Sequence, residues 1–265
     1  MIEYKTSVEM AALWNVSPRH VQYLCKNNII EGAAKRVGAW FIPADTPSPV
    51  RNTKADSKKF KFVGTKKKIF ENATHLYMQR GFENVSMKDI ADTVGIKQSA
   101  MYNHFSSKQE ILDTIYDYFC YHYLVDRPTF EAQEVIMREG SLHDIIRSVH
   151  YEFSDEYMYM MSDMVKIIFQ RSSVDEKARD INKSIILEEG ISYVEQIFGR
   201  AVEIGRLAPF DVHTLSVLIN SVRLLTMLNW VLDPSEQNMK QVLSDEQNIY
   251  DYATMYITDL KETAD

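Results

Sequence analysis

Side chains able to do covalent or metal chemistry are few in this chain, and badly spaced for it. Cys25 and Cys120 stand nearly a hundred positions apart, so no C-x-x-C pair exists. His143, His150 and His213 lack the i, i+4 interval that would aim two imidazoles at one metal from a single helix face. No glycine-rich phosphate loop occurs either. The expectation is therefore no enzyme, no catalytic residue, no metal and no cofactor. What the spacing does support is recognition. Ser86 followed by Asp89 makes a capping box, and Met87, Ile90, Ala91 and Val94 recur at helical intervals, so a short helix starts at Ser86. Gly95 ends it by taking the left-handed conformation, and Ile96 plugs the turn. A second helix is expected from about Lys97 through Ala100, Met101 and Tyr102 to Phe105. Two short helices around a tight glycine turn form a helix-turn-helix, whose second helix can lie in the DNA major groove.

The template recurs 80 positions earlier. Met10 matches Ile90, Ala11 matches Ala91, Trp14 matches Val94, Asn15 matches Gly95, Val16 matches Ile96 and Val21 matches Met101, while Leu24 falls opposite His104. Six of these seven agree in kind, and each has a physical reason. Alanine allows helices to cross closely, Gly or Asn tolerates positive φ, and apolar residues line inner faces. Thr6 with Glu9 supplies another capping box, and Ser17-Pro18 starts the second helix with a cap and a proline at its first position. This first copy would offer Ser17, Arg19, His20 and Gln22 to DNA. Beyond Gly32, the run Ala33 to Pro43 has β-favouring residues on both sides of Gly38, which predicts a small hairpin that opens on Lys35 and Arg36. A hairpin beside a recognition helix is a wing, placed to touch phosphates or a minor groove.

Charge is divided to match. Residues 1–64 carry +5, residues 65–125 balance, and residues 126–265 carry −12, within a net −7. A basic front and an acidic back suit a chain whose one end meets a polyanion; charge scatter in an acidic protein is the plainer reading. Residues 46–64 read as a linker, with Pro47, Pro49 and a lysine-rich run up to Lys61, serving as a solvated hinge or as a basic arm along the DNA backbone. The chain has 265 residues, 45% of them hydrophobic, which suffices for one or two cores and excludes a disordered or disulfide-stapled polypeptide. No apolar run near Met1 suits a signal peptide, and residues 215–232 are interrupted by Ser216, Asn220, Ser221, Arg223 and Asn229 before reaching bilayer length. A cytoplasmic protein with reduced thiols and no membrane partner is expected.

Two resemblances follow from these residues. Tyr4 to Pro43, with its Lys35-Arg36-Val37-Gly38-Ala39-Trp40-Phe41-Ile42-Pro43 ending, resembles the excisionase-like branch of the MerR-type winged helices, with a hairpin one residue shorter. The order helix, Gly81-Phe82, Ser86-Met87-Lys88-Asp89-Ile90-Ala91, Val94-Gly95-Ile96, Met101-Tyr102-Asn103-His104-Phe105, Ser107-Lys108-Gln109-Glu110-Ile111-Leu112 closely resembles the amino-terminal domain of the TetR-type transcriptional regulators. That resemblance implies that Ser86 caps its helix and reaches a phosphate. It also implies that Lys97, Gln98, Ser99, Ala100 and Asn103 face base edges or nearby backbone, that Tyr102 and His104 hold phosphates, and that Lys108 approaches the backbone. Lys97 departs from the usual Ser or Thr. Gln98 and Asn103 have the chemistry to pair bidentately with adenine, and Lys97 to read guanine. Phe105 is expected in the core. Ser107 and Glu110 suggest a further capping box for the next helix.

The acidic part shows helical stripes throughout. Leu187, Ile191, Val194, Phe198 and Ala201 advance in steps of four and three, and Leu215, Leu218, Val222 and Leu225 answer them. Such seams suit a four-helix dimer bundle or an intrachain bundle. Tyr151, Tyr157, Met158, Met161 and Met164 belong to an aromatic and methionine cluster that reads either as core or as the lining of a pocket for a lipophilic or cationic effector. The whole is expected to be all-α, a TetR-like helical regulator with a small N-terminal winged helix-turn-helix. The expected divisions are 1–45, a linker 46–64, a DNA-binding domain 65–110, and an effector and dimer domain 111–265. Its partners would be operator DNA and a second copy. A ligand-responsive homodimeric repressor with two DNA-reading heads per chain is the leading expectation; in the alternative, the first domain is a protein-interaction adaptor.

Overall fold

A computed structural model describes residues 4–14, 18–26, 30–36, 39–47, 62–125, 130–149, 155–233, 235–255 and 257–259. The contacts divide the chain into two compact units that interleave along the sequence. One comprises residues 47–126 and 153–183, the other 1–46, 127–152 and 184–265.

In the first-named unit, helix α3 (Gly64–Arg80) buries Ile69, Phe70, Ala73, Leu76 and Tyr77 on one face, at the spacing that repeats every turn. It stops at Gly81, whose φ of 79° suits a residue without Cβ and whose N–H donates to the Tyr77 carbonyl at 2.9 Å. A single 3₁₀ turn (Phe82–Asn84) leads into α4 (Met87–Val94) and α5 (Gln98–Met101). Helix α6 (Lys108–Val125) buries Ile111, Leu112, Ile115, Tyr116 and Phe119, and runs across the expected division at 110/111. Helix α9 (Asp155–Arg171) brings Met161, Met164, Val165, Ile167 and Ile168 against α3 and α6. A later stretch of chain thus helps build the core on which the helix-turn-helix rests. Asp175 then caps α10 (Glu176–Asp180) by accepting from the Lys177 and Ala178 amides.

The other unit holds the chain's early residues and its remaining helices. Strand β1 (Tyr4–Thr6) leads into α1 (Ser7–Trp14) and α2 (Pro18–Lys26), followed by β2 (Ala34–Arg36) and β3 (Ala39–Pro43). The hairpin β2–β3 is antiparallel, with Lys35 opposite Trp40, and β1 adds to the far side of β3 to give the order β1-β3-β2. That third strand was not anticipated: three residues are too few for an alternation to register, and only pairing with Phe41–Pro43 defines it. The fold class is therefore helical with a small sheet rather than strictly all-α. Met10, Ala11, Trp14, Val21, Leu24, Cys25 and Ile42 are buried, and burial pushes the Cys25 thiol up to about 11, away from reactivity.

The helical remainder comprises α7 (Phe130–Glu139), α8 (Leu142–Ser148), α11 (Gly190–Glu203), α12 (Val212–Leu232) and α13 (Glu236–Thr254), with a π-helical stretch at Ile181–Glu189 just before α11. Val194, Phe198 and Ala201 of the expected seam lie inside this unit's own core with Ile145, Ile197 and Ile219, which answers the intrachain reading for those three. Leu187, Leu218 and Leu225 are exposed. Arg206 and Asp259 form a buried ion pair, and Arg206 also donates to the Gly140 carbonyl at 2.8 Å. Among the described residues no helix is long and apolar enough to cross a membrane.

Candidate nucleic-acid interface

The interface is assembled from caps and turns that the sequence places locally. The Ser86 hydroxyl accepts from the Asp89 amide at 3.2 Å, while the Asp89 carboxylate accepts from the Ser86 amide at 2.8 Å and from its hydroxyl. Those bonds favour the ionised form and hold Asp89 below the ordinary carboxylate range, the side-chain bond most and the backbone bond next. Gly95 adopts φ 77°, ψ 34°, the left-handed conformation its type predicts, and the Ile96 N–H returns to the Ala91 carbonyl at 3.0 Å.

The recognition helix is shorter than expected. Instead of running to Phe105 it spans Gln98–Met101, and Tyr102, Asn103 and His104 form a turn. Lys97 at its start is extended (φ −69°, ψ 142°) and gives no side-chain cap, since an ammonium has no acceptor to offer the orphan amides. The turn closes through the His104 and Phe105 amides, both donating to the Met101 carbonyl, at 2.9 and 3.0 Å. Met101 is wholly buried and Phe105 is 1% exposed. Anchored from beneath at those two points, the segment turns Lys97, Gln98, Ser99, Tyr102 and Asn103 outward, with Ala100 and His104 half-buried. Tyr102 is 53% exposed, so its ring is not core.

Two neighbouring residues behave differently from expectation. Lys108, expected near the DNA backbone, directs its ammonium at protein carbonyls, those of Phe82 at 3.1 Å, Val85 at 3.3 Å and Glu83 at 3.5 Å. The capping box expected of Ser107 and Glu110 is divided between two serines. Ser107 accepts from the Glu110 amide, but the Glu110 carboxylate accepts from the amide and hydroxyl of Ser106, both at 2.6 Å, and is held below its usual range by that pair of bonds. The reach of a glutamate, one methylene longer than aspartate, spans the extra residue.

At the start of α1 the capping box of Thr6 and Glu9 is present, with the Thr6 amide donating to Glu9 at 2.7 Å and the Glu9 amide to the Thr6 hydroxyl at 3.3 Å. Gln22 and Lys35 are exposed. Ser17 lies outside the described residues, as do the side chains of Arg19 and His20 in α2 and of Arg36 in β2. Of the effector cluster, Met161 and Met164 are buried in α9, Tyr151 lies outside the described residues, and the side chains of Tyr157 and Met158 do too. Among the described residues no group of three or more His, Cys, Asp or Glu could hold a metal. Arg171, at the end of α9, was not anticipated: its guanidinium meets Glu83 at 2.6 Å across 88 positions of sequence, a pairing no local pattern signals.

Residues 69–115 match the sequence pattern of the bacterial regulatory proteins, tetR family. This segment is similar to the DNA-binding domain of that family. The match covers the helix-turn-helix and the adjoining parts of the helices on either side of it. The chain is also similar to the HTH-type negative transcriptional regulator IcaR of the biofilm operon icaADBC from Staphylococcus aureus, 26% identical over 139 residues, or 49% of this chain and 70% of that protein. Two solved structures share the fold more widely. A transcriptional regulator from Saccharomonospora viridis in complex with choline has a TM-score of 0.53 at 16% identity, over 72% of this chain and 96% of its own. A transcriptional regulator from Aquifex aeolicus VF5 reaches 0.50 at 17% identity, over 72% of this chain and 99% of its own. The family and these neighbours are transcriptional regulators rather than enzymes.

Proposed function

We propose that the protein is a ligand-responsive homodimeric repressor that carries two DNA-reading heads per chain. The observation that carries this reading is the outward row Lys97, Gln98, Ser99, Tyr102 and Asn103 on a segment fixed from beneath by Met101 and Phe105. An amide side chain on a rigid mount can make the two-point contact that distinguishes one base pair from another. Ser86, Ala100 and His104 complete the surface toward the phosphates. Residues 1–45 are read as a winged helix-turn-helix: α1 and α2 share a core, and the antiparallel hairpin β2–β3 follows them as a wing bearing Lys35 and Arg36. Its own recognition helix would use Arg19, His20 and Gln22, with Ser17 at its cap.

Dimerisation is proposed through α12. Leu218, Leu225 and Leu232 are 50%, 69% and 82% exposed and recur every seven residues, which keeps them on one side of the helix over two turns apiece. A pair of such chains would set two recognition segments on successive major grooves of a palindromic site. The effector would be a lipophilic or cationic small molecule held by residues among Tyr151, Tyr157, Met158, Met161 and Met164, the last four of which belong to α9, and the choline held by the S. viridis regulator is a natural first probe. The regulator acts in the cytoplasm on this reading.

Footprinting of the DNA upstream of its own coding region tests the assignment, using the full chain and a chain lacking residues 1–60. Loss of the early residues should shorten the footprint and flatten the salt dependence of binding. An unchanged footprint and slope would remove the second head from the DNA and favour the adaptor reading. That reading has one observation in its support, the exposure of Val8 (60%) and Leu13 (58%) on α1.

A further inference from the structure

The turn Phe82–Val85 joins α3 to the capped start of α4, so its position sets where the helix-turn-helix points. Two cations hold it. The Lys108 ammonium donates to the carbonyls of Phe82, Glu83 and Val85 at 3.1, 3.5 and 3.3 Å, and lies 4.4 Å from the centroid of the Phe82 ring. The Arg171 guanidinium lies 4.8 Å from the same centroid and binds the Glu83 carboxylate at 2.6 Å. Phe82 is 7% exposed and meets Tyr77 edge-on at 5.2 Å, and the Tyr77 hydroxyl donates to the Lys108 backbone carbonyl at 3.2 Å. Arg171 is tied in turn to Asp175 at 3.9 Å, and Asp175 accepts from the Tyr116 hydroxyl at 3.1 Å.

The geometry points to Lys108 and Arg171 as positioning residues for DNA reading, a two-cation clamp on the Phe82–Val85 turn that orients α4 and α5 without touching the nucleic acid. A lysine that bound phosphate would keep its ammonium in water until DNA arrived. This one directs its donors at three carbonyls at the end of a 3₁₀ turn, where the partial negative charge favours a cation. Arg171 comes from the far end of α9, so the clamp also fastens the reading segment to the helix that carries Met161 and Met164. The inference rests on the reading of α5 as the base-contacting element, and its failure can be told apart from the failure of that reading.

The full chain, Lys108→Met and Arg171→Gln are compared by fluorescence anisotropy on the upstream duplex and on a scrambled duplex of equal length, over a salt series, at a temperature where circular dichroism shows each protein folded. Misplacing the reading segment should weaken operator binding about tenfold or more, the size of a lost charge-assisted bond. Binding to the scrambled duplex should change little, and the slope of log K against log salt should stay as in the full chain. A fall on both duplexes with a slope smaller by about 0.9 would mean that Lys108 binds a phosphate directly and would overturn the inference. Lower melting temperatures with unchanged affinities would overturn it as well, leaving both residues merely structural. Should Lys108→Met fail to fold, Arg171→Gln tests the clamp by itself: a loss confined to the operator duplex supports it, and a lower melting temperature with unchanged affinity overturns it. A full chain that did not discriminate the two duplexes would remove the reading of α5, and the clamp's function with it.

Discussion

The helix pair α1–α2 and the helix-turn-helix of α4 and α5 share an inner face and differ in almost everything around it. Met10, Ala11 and Val21 are buried at 0%, 2% and 0%, and their counterparts Ile90, Ala91 and Met101 at 0% each. The same small and apolar residues pack the same kind of corner. In the first segment the second helix is nine residues long and begins at Pro18, whose fixed φ suits the opening turn. In the second it is four residues long and begins at Gln98, after Lys97, which supplies no side-chain cap. The first is braced by a three-stranded sheet, with α1 packed on β1 and β3, whereas the second is braced by α3 and by the clamped turn before it. A helix too short to persist alone can still present side chains precisely when buried residues beneath it fix its ends. The comparison therefore teaches that the inner-face pattern specifies the corner, while the flanking elements decide how much helix remains to meet a ligand.

Replacing Gln98 and Asn103 together by alanine should weaken operator binding about a hundredfold or more, since each bidentate contact discriminates by about 1–3 kcal/mol. Both side chains are exposed, so the fold should be untouched. Replacing Gln22 and Lys35 should cost less, and anisotropy titrations at one salt concentration would expose a reversal in which the first segment is the main reader. Next, Ile90→Ala and Met10→Ala should each cost about 2–5 kcal/mol as cavities in close-packed corners. Hydrogen exchange should locate the loss in residues 87–101 for the former and in 7–26 for the latter; a loss shared equally by both segments would show that they are not independent corners.

The smallest effect concerns the caps and the turn. Gly95 has φ 77° and nothing within 4 Å of where a Cβ would stand, so Gly95→Ala should cost about 1 kcal/mol of backbone strain alone. Asp89, Glu110 and Asp144 are each held below their usual range by hydrogen bonds from serines. A carboxylate with a depressed folded value contributes stability that is present above its unfolded value, near 3.8 for aspartate and 4.5 for glutamate, and is lost as pH falls through the folded one. Acid titration followed by circular dichroism should therefore show Ser86→Ala unfolding at a higher pH than the unaltered chain, with the two curves converging once Asp89 is protonated in both.

Much of this was legible from residue order because the responsible forces act over one or two turns. Capping boxes at Thr6 and Ser86, the left-handed Gly95 and the burial of Ile90, Ala91, Met101 and Phe105 follow from neighbours three or four positions away. The contribution of α9 to the DNA-binding unit, the pairing of β1 with β3, and the diversion of Lys108 and Arg171 to the Phe82–Val85 turn do not. Those depend on partners between 23 and 88 positions distant, or on a strand of three residues that carries no periodicity. The linear pattern determined the helix-turn-helix of α4 and α5, the helix pair α1–α2, and which of their residues turn inward. Chain folding decided that the Lys108 ammonium lies against the carbonyls of Phe82, Glu83 and Val85, because residues 23 to 26 positions apart meet only once the helices have packed.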